Sequence, residues 1–276
     1  MYDFSFIEYS YNPNQVSADQ IRSQLFNLGF VHRTQHRNNR VGFWVQHHCI
    51  ILLRETDSVG TPTVTGLGFI TESDEFLPTI FRDPDSDISC KHLPNNLRLL
   101  FVPADQMINL MTENFETVDP GQHKMSGLKY ISSIMLDVDA ESEAVLKELG
   151  FTNSKSSDNF RSIVSKNKRL SLIVNENFPD TKRTLYIDTD DLFYSAACLA
   201  LTALEDKQIT VTDIPPGFGN LAHKIKGYQC LAVGNSNSYS IEKFYPNALP
   251  NTDIILRMRR QYININEEAL LTYYND

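Results

Sequence analysis

The stretch Leu28-Gly29-Phe30 recurs as Leu149-Gly150-Phe151, at an offset of 150 − 29 = 121 positions, and this repeat decides the fold. In both places an apolar helical pattern ends at Leu. Gly follows, at the position where a helix most readily ends in the left-handed conformation. The first helix is predicted to begin at Ser17, because Ser17-Ala18-Asp19-Gln20 has the form of a capping box. The sequence therefore predicts two matching helices, one in each half of the chain.

Strands are predicted on either side of both helices, from short apolar or alternating runs. They are Phe4–Tyr11, Cys49–Leu53, Gly66–Thr71 and Leu97–Val102 in the first half, and Tyr130–Leu136, Leu170–Val174, Thr184–Thr189, Ile209–Val211, Tyr228–Val233 and Tyr239–Phe244 in the second. Each half thus begins as a βαβββ unit and then starts another. We predict an α+β fold of tandem βαβββ modules, spanning residues 1–122 and 123–276, with the boundary near Gly121–Ser126.

Composition narrows the classes of partner. Lys plus Arg is 25 and Asp plus Glu is 34, so the net charge is 25 − 34 = −9. This acidic balance argues against nucleic acid as a partner. No apolar run reaches the length of about 20 residues that a membrane helix needs, and the first ten residues lack the basic start of a signal peptide. Four separated cysteines read as reduced, buried side chains. We therefore expect a cytoplasmic protein without a membrane partner, and the sequence leaves a homo-oligomer open.

Several motifs are excluded by their spacing. The acidic run Asp83-Pro84-Asp85-Ser86-Asp87 lacks the glycine and glutamate that an EF-hand requires, because Ile88 and Pro94 stand at those positions. We expect it to be a solvated loop. The nucleophile elbow, the zinc-protease helix and the dinucleotide fingerprint are all absent from the sequence.

The order of these pieces resembles the vicinal oxygen chelate superfamily, which includes the glyoxalases and extradiol dioxygenases. Within that superfamily the first ~70 residues resemble the 4-hydroxyphenylpyruvate dioxygenase family. The pieces that carry the resemblance are Phe4–Tyr9, Leu28–Phe30, His36-Arg37 followed by Val41, Gln46, Ile50–Leu53 and Val64–Phe69. The resemblance implies curled mixed sheets, a structural N-terminal module and a ligand cavity in the C-terminal module.

The resemblance also implies an iron site in the C-terminal module, held by two histidines and one glutamate. The first histidine position is occupied here by Ser133, and the second by Thr184, with Tyr186 on the same strand face. The glutamate position falls on Glu242, in the predicted strand Tyr239–Phe244. Only one of the three expected ligand types is therefore present.

Three functional hypotheses follow. The leading one is a small-molecule-binding protein without a cofactor, whose ligand, an aromatic compound or a 2-oxo acid, contacts Ser133, Thr184, Tyr186 and Glu242. Glu242 would be the base in any metal-free proton transfer. The second is an Fe(II)-dependent dioxygenase or lyase that uses Glu242 with His223 as a substitute ligand. The third is a structural or partner-binding protein whose cavity is filled by its own side chains. Whether the chain is an enzyme stays open.

Overall fold

The fold is seen in a computed structural model of the chain. It describes residues 2–72, 80–94, 97–109, 114–119, 126–136, 138–157, 160–166, 170–175, 183–189, 194–195, 198, 210–213, 228–234 and 252–259. Within these ranges no helix is both long enough and apolar enough to cross a membrane.

In the first part of the chain, the described residues form a nine-stranded sheet, called sheet A, and two helices. Its elements are β1 (Tyr2–Tyr11), α1 (Ala18–Asn27), β2 (Val31–His36), β3 (Val41–Gln46), β4 (Cys49–Glu55), β5 (Thr63–Thr71), β6 (Phe81–Arg82), β7 (Ser89–Leu93), β8 (Leu97–Pro103), α2 (Ala104–Asn109) and β9 (Phe115–Thr117).

Two four-stranded units meet at the centre of sheet A, and β9 adds a ninth strand at one edge. The strand order is β6-β7-β8-β5-β1-β4-β3-β2-β9. Strand β1 is parallel to β4, β5 is parallel to β8, and β1 and β5 run antiparallel where the units join. The short strands β6 and β7 were not predicted, because the acidic run between them interrupts the apolar alternation that marks a strand.

The described residues of the second part include an eight-stranded sheet, called sheet B, and a helix. Its elements are β10 (Leu128–Leu136), α3 (Ala140–Glu148), β11 (Thr152–Ser157), β12 (Phe160–Val164), β13 (Ser171–Asn175), β14 (Arg183–Thr189), β15 (Thr210–Asp213), β16 (Tyr228–Gly234) and β17 (Thr252–Arg259).

Sheet B has the same pattern of pairing as sheet A. Its order is β11-β12-β13-β10-β14-β17-β16-β15, with β10 parallel to β13, β14 parallel to β17, and β10 antiparallel to β14 at the join. The α+β fold with mixed sheets is therefore confirmed. The division at residues 122 and 123 stays a prediction, since residues 120–125 lie outside the described ranges.

Helix α1 begins at the predicted cap, and both repeated helices end at the predicted glycines. The Ser17 hydroxyl accepts a hydrogen bond from the Gln20 backbone N–H at 3.2 Å. Helix α3 has Asp139 as its cap, whose carboxylate accepts from the Ser142 N–H at 2.7 Å. Gly29 and Gly150 have φ angles of 86° and 87°, the left-handed conformation that glycine adopts without steric cost.

The helix-bearing sides of both sheets contribute to one apolar core. Alternate residues of β1 and β10, such as Ile7 and Ile134, belong to this core together with Leu25 of α1 and Leu146 of α3. We call this side of each sheet its outer face and the opposite side its inner face. Among the cysteines, Cys49 lies in this core and Cys90 on the inner face of sheet A. Burial raises the pKa of both thiols, that of Cys90 to about 11.

A buried polar junction links sheet A to the start of β10. The Gln46 amide nitrogen donates to the Leu28 carbonyl at 3.0 Å and lies 3.1 Å from the Ser126 hydroxyl. Its amide oxygen accepts from the Leu128 N–H at 3.1 Å. Next to it, the His48 N–H donates to the Lys129 carbonyl at 2.8 Å. The β3–β4 hairpin therefore fixes where β10 begins.

Candidate functional site

The inner face of sheet A is filled with apolar side chains at one end. Phe6 packs edge-on against Phe43 at a centroid distance of 5.4 Å, and Phe43 packs against Phe115 at 5.4 Å. These rings form a buried cluster with Leu52 and Leu100. A cluster of this kind is closely packed and excludes water.

Beside the cluster lies a buried network of two arginines and two carboxylates. Arg54 donates from Nε to Glu8 Oε2 at 2.8 Å and from a terminal nitrogen to Asp83. Arg98 donates to the same two groups, at 2.8 Å to Glu8 Oε2 and 3.3 Å to Asp83 Oδ1. The Thr65 hydroxyl donates to the other Glu8 oxygen at 2.8 Å. The paired charges therefore compensate one another inside the sheet.

The acidic run is part of this network, so its prediction as a solvated loop was wrong. Asp83 is only 3% exposed. Burial alone would raise the pKa of Asp83, but Arg54, Arg98 and the hydrogen bonds from Ser86 outweigh it and hold the pKa below its usual range. Burial alone would likewise lower the pKa of Arg54, but Glu8 and Asp83 raise it. The arginines that compensate the run are 29 and 15 positions away in sequence, where spacing rules do not reach.

At its centre, the inner face of sheet B carries hydroxyl-bearing side chains, unlike the apolar cluster of sheet A. Ser133 of β10 lies directly opposite Tyr186 of β14. Their strand neighbours Ile134 and Leu185 point into the apolar core, so Ser133 and Tyr186 face the inner side. Each is 2% exposed. The structure thus brings together two of the predicted site residues.

The equivalent pair in sheet A is Phe6 and Gly68. In both sheets this pair directly follows a β-bulge, and the next pair is apolar on the outer face. A Cβ built on Gly68 would lie 2.2 Å from the Phe6 ring, so the ring occupies the space above the glycine. Sheet B has the opposite arrangement, with the small side chain on its first strand and the large one on its partner.

Asp188 and Ser132 also belong to the inner face of sheet B, and sequence reasoning missed both. Asp188 is 5% exposed and follows Tyr186 by two positions, so it lies on the same side of β14. Ser132 is the extra residue of the bulge, and its hydroxyl donates to Asp188 Oδ1 at 2.6 Å. The alternation of Thr184, Tyr186 and Asp188 along the strand could have identified Asp188 as a residue of the same face. The bulge that turns Ser132 toward Asp188 has no such signal.

The other predicted site residues are only partly located. Thr184 lies on β14 opposite Met135, on the strand position that was assigned to the second histidine. Glu242 and His223 lie outside the described residues. The strand that pairs in parallel with β14 is β17. The predicted strand Tyr239–Phe244 lies outside the described residues. Asp253 of β17 is the register partner of Thr184.

The described residues of sheet B do not fit a ferrous site of the two-histidine, one-glutamate type. The two positions that the resemblance assigns to histidine carry serine and threonine, and hydroxyl groups are poor substitutes for imidazole at ferrous iron. Across the described ranges, no group of three His, Cys, Asp or Glu side chains could hold a metal ion. No histidine occurs in the described ranges after residue 119.

Comparison with known proteins was informative only for structure. No family model matches the chain, and no curated protein matches it in sequence. A xylose isomerase-like TIM barrel/4-hydroxyphenylpyruvate dioxygenase fusion protein matches over 99% of this chain at a TM-score of 0.68 and 16% identity. The match covers 51% of the fusion protein, so the chain spans about half of its length.

Two further structures match almost the whole chain. A mutant of 4-hydroxymandelate synthase from Streptomyces coelicolor has a TM-score of 0.59 at 10% identity, with 97% of this chain and 95% of that protein covered. BphC, a halotolerant catechol dioxygenase, has a TM-score of 0.55 at 9% identity, with coverage of 95% and 89%. At these identities the likeness establishes the fold and not the activity. The chain has the fold of the vicinal oxygen chelate proteins, as the resemblance predicted.

Proposed function

We propose that the chain binds an aromatic small molecule on the inner face of sheet B, without the iron chemistry of the dioxygenases it resembles. One observation carries this proposal. At the centre of sheet B, the hydroxyl-bearing residues Ser133 and Tyr186 stand where Phe6 packs on Gly68 in sheet A. Buried hydroxyl groups orient a ligand by hydrogen bonds, and an aromatic ring supplies apolar contact.

The structural neighbours support a small molecule as the ligand class. Their names describe a 4-hydroxyphenylpyruvate dioxygenase, a 4-hydroxymandelate synthase and a catechol dioxygenase, and all three names refer to aromatic compounds. Because the fold alone is shared, this support is by analogy. The N-terminal module has a structural role in the proposal, since Glu8, Arg54 and the phenylalanine cluster occupy its inner face.

The site is tested by a thermal-shift screen of aromatic acids, 2-oxo acids, neutral phenols and aromatic amines. A ligand at 100 times its Kd stabilises the folded state by about 2.7 kcal/mol, which raises the melting midpoint by several degrees. The control is the double variant Ser133→Phe/Tyr186→Gly, which copies the Phe6–Gly68 pair and is expected to lose the response. Ser23→Ala, on the exposed side of α1, is expected to keep it. No response in any compound class would overturn the proposal in favour of the filled cavity of a structural protein.

The metal-dependent alternative makes a separate prediction, which elemental analysis decides. If Glu242 and His223 hold iron, protein from iron-supplemented cells carries near-stoichiometric metal, and Glu242→Ala and His223→Ala each lose it. That result would overturn the metal-free part of the proposal and leave the binding site itself in place. Under the proposal, Glu242→Ala leaves metal content unchanged and affects only proton transfer to or from a bound ligand.

A further inference from the structure

The inner face of sheet B continues from its buried centre to solvent. Two positions along β14 from Tyr186, Asp188 lies opposite Tyr130 of β10. Directly opposed residues in an antiparallel pair have Cβ atoms about 5 Å apart, so these side chains are neighbours. Asp188 is 5% exposed, whereas Tyr130 is 44% exposed. A ligand that enters at Tyr130 therefore meets the Asp188 carboxylate before it reaches Ser133 and Tyr186.

Asp188 is held in a defined orientation at this point. The Ser132 hydroxyl lies 2.6 Å from Asp188 Oδ1 and 3.0 Å from the Tyr186 carbonyl oxygen. The shorter distance is typical of a hydroxyl donating to a charged carboxylate. A carboxylate offers about four acceptor positions, so it can accept hydrogen bonds from several donors at once, Ser132 among them.

These groups favour a cation over an anion. A protonated amino group makes charge-assisted hydrogen bonds to a carboxylate, and it is also attracted to the faces of aromatic rings. Tyr130 and Tyr186 flank Asp188 on the same face and supply such rings. The carboxylate of a 2-oxo acid would instead be repelled by Asp188. We propose that the ligand is an aromatic amine, whose ammonium group binds Asp188 and whose ring packs against Tyr130. This inference rests on the binding site proposed above and specifies its ligand class.

The residue that pairs with Asp188 on the neighbouring strand defines the competing outcome. Arg257 of β17 is the register partner of Asp188. A site built around Arg257 would select an anionic ligand, while a site built around Asp188 selects a cationic one. The experiment must therefore vary the sign of the ligand's charge and both of these residues.

Three phenols with the same ring provide that variation: tyramine is cationic at pH 7, tyrosol is neutral and 4-hydroxyphenylacetate is anionic. Titration calorimetry on the full chain is expected to show tyramine binding at least tenfold more tightly than 4-hydroxyphenylacetate. Asp188→Asn should remove the preference, since the amide keeps an acceptor for Ser132 but loses the charge. Asp57→Asn removes an equal charge from the exposed turn that follows β4 and should keep the preference.

Tyr130→Ala provides a second test that does not depend on a buried substitution. Because Tyr130 is partly exposed, this variant should fold as the wild type does and bind tyramine at least fivefold more weakly. Tighter binding of 4-hydroxyphenylacetate, lost in Arg257→Gln, would overturn the amine proposal and leave the small-molecule site standing. An unchanged preference in Asp188→Asn, or no binding of tyramine to the wild type, would also overturn it. The wider ligand screen then decides separately whether sheet B holds a site at all.

Discussion

The inner faces of the two sheets are built on the same pattern of strand pairing and differ in what fills them. In sheet A, Phe6 lies over Gly68, and Glu8 is paired with Arg54 and Arg98. In sheet B, Ser133 and Met135 stand where sheet A has Phe6 and Glu8. The inner face of sheet A therefore carries a phenylalanine and a buried ion network, while the inner face of sheet B carries hydroxyl groups and a carboxylate. Under the proposed function, the inner face of sheet A supports the fold and the inner face of sheet B contacts the ligand, and a few inward positions make the difference.

The largest effect is expected from breaking the ion network of sheet A. Arg54→Met leaves Glu8 and Asp83 with Arg98 as their remaining cation, so one buried charge is uncompensated. Removing one partner of a buried ion pair typically costs about 3–5 kcal/mol. Urea unfolding followed by the fluorescence of Trp44, the single tryptophan, measures the change. The exposed Arg37, which pairs with Glu116 at 3.3 Å, provides the control Arg37→Met, expected within about 1 kcal/mol of the wild type.

The close packing of Phe6 on Gly68 is tested by Gly68→Ala. The added methyl group would lie 2.2 Å from the Phe6 ring, so the ring must move, and overpacking of this kind costs about 1–3 kcal/mol. The matched control is Gly60→Ala, because a Cβ at Gly60 has no neighbour within 4 Å. The same urea titration serves for both. Equal stability of the two variants would contradict the conclusion that the Phe6 ring packs closely on Gly68.

The junction between the sheets is tested by Gln46→Ala. This substitution removes the amide that joins the Leu28 carbonyl, the Ser126 hydroxyl and the Leu128 N–H, and leaves those groups buried. A buried polar group without its partner costs about 1–3 kcal/mol. Differential scanning calorimetry measures the loss. Gln20→Ala, whose exposed side chain lies on α1, should change the midpoint little. If both variants melt alike, the junction does not help to hold β10 in place.

The smallest expected effect is the acid sensitivity contributed by Asp83. Its pKa is lowered in the folded state, so its contribution to stability is present above the unfolded pKa of about 3.9. It is lost as the pH falls from about 4 through the folded value. Urea titrations at pH 6, 4 and 3 should show a smaller loss of unfolding free energy with acid in Asp83→Asn than in the wild type. Asp57→Asn should resemble the wild type. Parallel losses in all three proteins would argue that Asp83 titrates normally.

Much of the fold could be predicted from local patterns. The caps at Ser17 and the glycines at 29 and 150 depend on a few neighbouring residues, so the helices were placed correctly. Apolar runs located nine of the seventeen described strands within about three residues of their ends. The strand that pairs with β14 could not be identified in this way, because a parallel partner is chosen across a long connection and not by local alternation. The predicted strand containing Glu242 therefore gave no information about which segment becomes β17.

The sequence by itself determined the α+β class, the paired units and the hydroxyl side chains at Ser133, Thr184 and Tyr186. Only the tertiary structure decided that the acidic run enters the core of sheet A, because its compensating arginines come from β4 and β8. It likewise brought Ser132, Asp188 and Tyr130 to one face of sheet B through a bulge and an antiparallel register. Charge compensation and strand register join residues that are far apart in sequence, and local periodicity cannot predict either of them.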